Sequence, residues 1–226
     1  MSNAQETTRI RVRNAVSGDW KPVHPLLAPR YRLMILLPLA LFAVWFGAEE
    51  PREEIGRLGY LWSWGLTAVQ WLSGLLLLAV ALRSAVPGAR TSVRVLGLMI
   101  AVSTALMLLV VFVTYWKEPT VVPRGRSFMY WYECVLGPLQ LGLPLLGLAL
   151  LLVMRAHPVR PAMVGGLCGL AAGVLTESGW RIFCWVSAPS HVFSSHMLAV
   201  VLLTASGAAI ATAVDRFRSR QSFSAR

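Results

Sequence analysis

An all-α fold is expected, a polytopic membrane protein built as a six-helix transmembrane bundle, on three observations. Of the 226 residues, 56% are hydrophobic and 14% charged, and mean hydropathy is +0.62. A soluble domain of this size would aggregate with that balance. The apolar residues gather in six windows, 33–48, 59–82, 95–116, 129–154, 162–187 and 192–214, each close to the roughly 17–25 residues that carry a helix across the hydrocarbon. Inside them Leu, Ala, Val and Gly run without period-two alternation, which argues against a transmembrane barrel. Nearly all other residues fall in short connections, so there is no soluble catalytic domain and no enzyme is expected.

Residues 1–32 are rich in Arg, Ser, Asn and Pro, too polar to bury a core, and are expected to be a flexible N-terminal segment. Within it Trp20, Val23, Leu26 and Leu27 stand among Pro22, Pro25 and Pro29, where the prolines favour extended or turn-rich chain. Two readings fit: an interfacial anchor on lipid headgroups, or a recognition segment that orders on a cytosolic partner. A cleaved signal peptide over 1–48 is disfavoured, because cleavage after Ala48 would set bulky Phe46 where small side chains are required. The first span, 33–48, is short, and Tyr31 and Arg32 are expected to snorkel at one end with Trp45 at the other interface.

In the third span Ser103, Thr104 and Thr114 can return their hydroxyls to the backbone. The fourth opens with the aromatic run Met129–Tyr130–Trp131–Tyr132 and carries Pro138 and Pro144, which are expected to kink it. In the fifth, Gly165, Gly169 and Gly173 form an i, i+4, i+8 ridge against which another backbone can pack closely. Glu177 lies ten residues before Ser187, about 15 Å from that end at ~1.5 Å per residue. An ionised group at such depth costs roughly 2.5–3.5 kcal/mol or more unless paired. An intramembrane ion pair with Arg181, one turn away, or a protonated Glu177 answers that cost. Residues 33–214 thus make the membrane domain, and 215–226 a basic tail.

Formal net charge is +11, and fifteen of the twenty-one basic residues fall on one side: Arg9, Arg11, Arg13, Lys21, Arg30, Arg32, Arg83, Arg90, Arg94, Arg155, Arg160, Arg216, Arg218, Arg220 and Arg226. The positive-inside rule places that side, with both termini, in the cytoplasm. Basicity here reports topology, so anionic lipid is the expected partner and no direct nucleic-acid binding follows.

On the outer side this topology gathers Cys134, Cys184, His191 and His196 at similar shallow depth. Cys168 is sixteen residues from Cys184 on the same span, about 24 Å away, and cannot join them. Two sulfurs and two imidazoles suit zinc or another soft-to-borderline transition metal. A Cys134–Cys184 disulfide in an oxidising compartment competes with it, as does plain packing of cysteines and interfacial histidines.

Four stretches resemble the NrsF-like membrane anti-sigma factors, named after the negative regulator of sigma-F. They are Asp19–Trp20–Lys21–Pro22–Val23–His24–Pro25–Leu26, Tyr132–Glu133–Cys134, the run from Ala156 to Pro161 with the glycines to Gly173, and Cys184 followed by the two histidines. The similarity is strongest over about 130–200. The resemblance implies that the tail, through Asp19, Trp20, Pro22, Val23, Pro25, Leu26 and Leu27, holds an extracytoplasmic-function sigma factor at the bacterial inner membrane. It also implies that a cysteine pair, here Cys134 and Cys184, responds to metal or oxidant stress. His196 stands where many relatives carry an aromatic residue, a departure that bears on whether the site takes a metal or keeps only a redox role.

Two other classes compete. Gln70, Glu177 and Arg181 could line a polar path in a small transporter or channel, though no inverted repeat is visible. A membrane thiol-redox enzyme normally needs two exchanging cysteine pairs, and three cysteines supply at most one. The topology is tested by reporter fusions. Those at Arg90 and Arg218 should read cytoplasmic and one near Arg124 periplasmic; a periplasmic signal at Arg218 would overturn the arrangement.

Overall fold

The computed structural model describes residues 3–18, 26–49, 51, 59, 61–89, 91–120 and 127–224. Helices dominate: α1 Asn3–Gly18, α2 Pro29–Glu49, α3 Leu66–Ser84 preceded by a π turn at Leu61–Gly65, α4 Val93–Lys117, α5 Ser127–Met154, α6 Pro161–Phe183, the short α7 Pro189–Ser194 and α8 His196–Ser224. There is no strand among the described residues. Six helices are long and apolar enough to cross a membrane, an all-α architecture compatible with a multi-pass membrane protein. Large apolar side chains remain exposed on every one of them, for instance Met34, Leu76, Leu98, Trp116, Leu151 and Val201. Such a surface is compatible with a lipid environment.

The N-terminal segment is helical over α1, where a flexible stretch was expected. No proline or glycine interrupts residues 3–17, and Glu6 in the first turn complements the helix dipole. Its described side chains are exposed. Asp19, Trp20, Pro22, Val23 and Pro25 lie outside the described residues, while Leu26 and Leu27 are exposed in the irregular chain that leads into α2.

Helix α2 starts at Pro29, four residues ahead of the expected boundary, because proline is well suited to a first helical position. Arg32 consequently lies inside the helix. It does not snorkel: it is 2% exposed, and its guanidinium donates to Leu82 O at 3.3 Å and Leu152 O at 3.4 Å. Both acceptors belong to the last turns of α3 and α5, where carbonyls lack intrahelical donors. Arg218 likewise donates to Met154 O at 2.6 Å. It can do so because α8 continues to Ser224, so the expected tail from 215 is helix rather than a separate segment. The helices also stay continuous through Pro38, Pro138 and Pro144.

Helix α6 is the centre of the bundle. Its spanning window is 78% buried, against 22–44% for the other five, and it packs on α8 most extensively, then on α3, α5 and α2. The glycine ridge explains the closeness to α8: a methyl group at Gly169 would overlap Leu203 O, and one at Gly165 would overlap Gly207 O. Helix α4 sits at the edge, against α3 and α7.

Replacing Gly169 by Ala should therefore force α6 from α8 and cost about 1–3 kcal/mol, read as a lower Tm of the solubilised protein. Gly147, with open space around it, should accept Ala without loss.

Candidate functional site

One end of the bundle gathers the four sulfur and nitrogen donors. Cys134 lies two turns into α5, and Cys184 is the residue that ends α6, its N–H donating to Trp180 O at 2.8 Å. After Cys184 the chain runs irregularly to Ala188 and turns into α7, which carries His191; His196 is the first residue of α8. Against the expected 192–214 window, His191 is thus already helical and His196 opens the last helix instead of lying four residues into it. The bend between α7 and α8 is held by Ser195, whose Oγ and N donate to His191 O at 2.7 and 2.9 Å.

One ligand atom from each of Cys134, Cys184, His191 and His196 falls within 4.8 Å of the other three. The two thiol sulfurs are 3.3 Å apart, and Cys184 Sγ is 3.8 Å from His191 Nε2. The imidazole rings meet edge to face with centroids 5.6 Å apart. All four residues are buried. Cys168, buried on the same helix as Cys184, is not part of the group.

The loop that carries Cys184 is clamped from the chain after α4. Ser187 Oγ donates to Glu118 O at 2.6 Å, Thr120 N donates to Ser187 Oγ at 2.9 Å, and Ala188 N donates to Thr120 O at 3.0 Å. Thr120 Oγ1 also donates to Trp185 O. From the α5 side, Trp131 Nε1 donates to Ser194 O at 2.8 Å. The cysteines and histidines are thus held by hydrogen bonds between segments more than sixty residues apart, for which the sequence carries no local signal.

Glu177 and Arg181, expected as an intramembrane pair, line one small cavity, and each has partners on other helices. Glu177 accepts from Gln70 Nε2 at 2.7 Å through Oε2 and lies 3.2 Å from His196 Nδ1 through Oε1. Arg181 donates to Thr114 Oγ1 at 3.0 Å, Thr67 Oγ1 at 2.8 Å and Ser63 O at 3.3 Å. The π turn before α3 contributes to the second arrangement, since Ser63 O accepts from Thr67 Oγ1 as well as from Arg181. Glu177 is also nearer the helix end than expected. Helix α6 ends at Phe183, so Glu177 is six residues, about 9 Å, from its end. Nor do Ser103 and Thr114 serve only their own helix: Ser103 Oγ bonds Ser73 Oγ at 3.2 Å, and Thr114 receives Arg181. A cavity with room for about one water, roughly 10 Å³, lies among Glu177, Arg181, Cys184 and His196.

A family model described as NrsF, negative regulator of sigma F, matches residues 16–217. The chain belongs to the NrsF family. No curated protein and no solved structure matches it significantly. The match takes in all four donors of the site, both partners of Glu177 and the stretch 19–27, and leaves out most of α1. Membership of the NrsF family makes this a negative regulator of a sigma factor by family.

Chemically, two thiols and two imidazoles in this arrangement can take a soft-to-borderline cation or lose two electrons as a disulfide. The donor set fits a tetrahedral ion: with metal–sulfur bonds of about 2.3 Å, two coordinated sulfurs stand about 3.8 Å apart, an opening of about 0.5 Å from the distance here. Mild oxidation of the purified protein should join Cys134 to Cys184 one to one and leave Cys168 as a thiol, as checked by mass spectrometry of its peptides.

Proposed function

We propose that this NrsF-family protein is a membrane-bound anti-sigma factor. It holds an extracytoplasmic-function sigma factor through its N-terminal cytoplasmic segment and releases it when metal or oxidant reaches Cys134 and Cys184. The observation that carries the reading is the family match over 16–217, joined to the convergence of two cysteines and two histidines at one end of the bundle. The basic-residue distribution supports an inner-membrane topology with both termini in the cytoplasm and the cysteine site on the periplasmic face. In that topology the membrane lipids are the protein's other partner.

The contacts assigned to the sigma factor are Asp19, Trp20, Pro22, Val23, Pro25, Leu26 and Leu27. Leu26 and Leu27 are exposed, and a Trp with neighbouring aliphatics is the side-chain type that concentrates binding energy. The signal step balances in either form. Binding a divalent cation displaces the two thiol protons into water; oxidation forms the sulfur–sulfur bond, with two electrons passing to the oxidant and two protons to water. Either event changes the separation of α5 and α6. Because α6 packs on α8 through glycine contacts that leave no slack, α6 is the element that can carry the change to the opposite end.

The test is co-purification of a sigma factor with the protein from membranes, together with binding of the isolated tail peptide. Trp20→Ala combined with Leu26→Ala should weaken peptide binding about tenfold or more; unchanged binding would reduce the segment to a lipid anchor. In cells, Cys134→Ser with Cys184→Ser should abolish inducer response while the protein stays in the membrane, and Cys168→Ser should respond normally.

A further inference from the structure

Glu177 and Gln70 are buried, polar and unused by the cysteine chemistry above, yet they abut it. Glu177 has a donor for each oxygen: Gln70 Nε2 at Oε2 and His196 Nδ1 at Oε1. The other ring nitrogen of His196 is different. Nε2 is buried and has no hydrogen-bond partner, although His196 belongs to the group of donors within 4.8 Å of one another. A buried imidazole whose one nitrogen is held by a carboxylate and whose other is left open beside two thiols has the carboxylate–histidine arrangement that orients metal ligands.

We propose that Glu177 positions His196 as an Nε2 ligand, completing with Cys134, Cys184 and His191 a tetrahedral site for a thiophilic divalent cation of the zinc class. The proposal deepens the reading of Cys134 and Cys184 as the signal-receiving pair and rests on it. Disulfide formation would engage the sulfurs and leave His196 Nε2 still without a partner. A cation engages all four donors at once. Its binding releases the two thiol protons, the two thiolates balance its charge, and Glu177 accepts the Nδ1–H. Gln70 has a defined part in this: by donating to Oε2 it directs Oε1 to the imidazole, so α3 is tied to the site through α6. Glu177 is a positioning residue, since it does not touch the ion.

The test uses the full-length protein in lipid nanodiscs, reduced and kept from oxygen, titrated with Co²⁺. Wild type should develop the thiolate-to-cobalt charge-transfer band and the intense visible bands of a tetrahedral sulfur–nitrogen site; their absence overturns the proposal. Glu177→Gln should bind Co²⁺ roughly 10–100-fold more weakly with the band positions retained, and binding within twofold of wild type would overturn it. Should that variant not fold, ¹⁵N-histidine NMR of the Zn²⁺-loaded wild type decides: His196 must be bound through Nε2 and protonated at Nδ1, and binding through Nδ1 refutes the assignment. Sigma-factor co-purification from the same membranes separates the two readings. Retained sigma factor without tetrahedral cobalt bands sinks the cation site alone, whereas the bands and the Glu177→Gln effect without a sigma factor uphold the site and sink the anti-sigma role.

Discussion

Burying Glu177 in an apolar bundle requires donors from outside its own helix, and the arrangement of the site end follows from that requirement. An unpaired carboxylate at such depth costs several kcal/mol. Glu177 meets the demand by reaching Gln70 on α3 and His196 on α8, which fixes α6 against both neighbours at one level. Arg181, one turn on, donates to Thr67, Thr114 and the Ser63 carbonyl, so α4 is tied to the same helix. Four helices are thus registered by two charged side chains. The cysteines and histidines lie immediately beyond this layer.

The opposite end uses arginine for a different purpose. Arg32 and Arg218 place their guanidinium groups on the last-turn carbonyls of α3 and α5, where helix dipoles favour a cation and the backbone lacks donors. The turn that follows α5 lies at this end and includes His157, whose φ of 50° is left-handed. Two basic residues at this end therefore hold the helix ends together.

Between the two ends, the contact of α6 with α8 is made of glycines facing backbone. Interhelical contact of this kind relies on close van der Waals approach, since lipid tails supply no hydrophobic drive. It leaves little room for one helix to move without the other. A change in sulfur separation at Cys134 and Cys184 would act directly on the end of α6, the helix with the most neighbours.

Much of this was legible in the sequence. Six unbroken apolar windows required six helices, because only internally bonded backbone is stable in hydrocarbon. The ridge of Gly165, Gly169 and Gly173 announced a close contact, and the spans placed Cys134, Cys184, His191 and His196 at one depth. Helix ends were less legible, since Pro29 and the polar turns beyond Ala213 continue a helix without adding hydropathy. What only the tertiary structure decided is partnership. Helical spacing of four suggested Glu177 with Arg181, and packing adds Gln70 and His196 to the first and Thr67 and Thr114 to the second. Gln70, Thr114, Thr120 and Ser187 acquire their roles in the same way, through contacts between residues 67 to 107 apart in the chain. Local pattern records which residues can be buried; which of them meet depends on how whole helices pack.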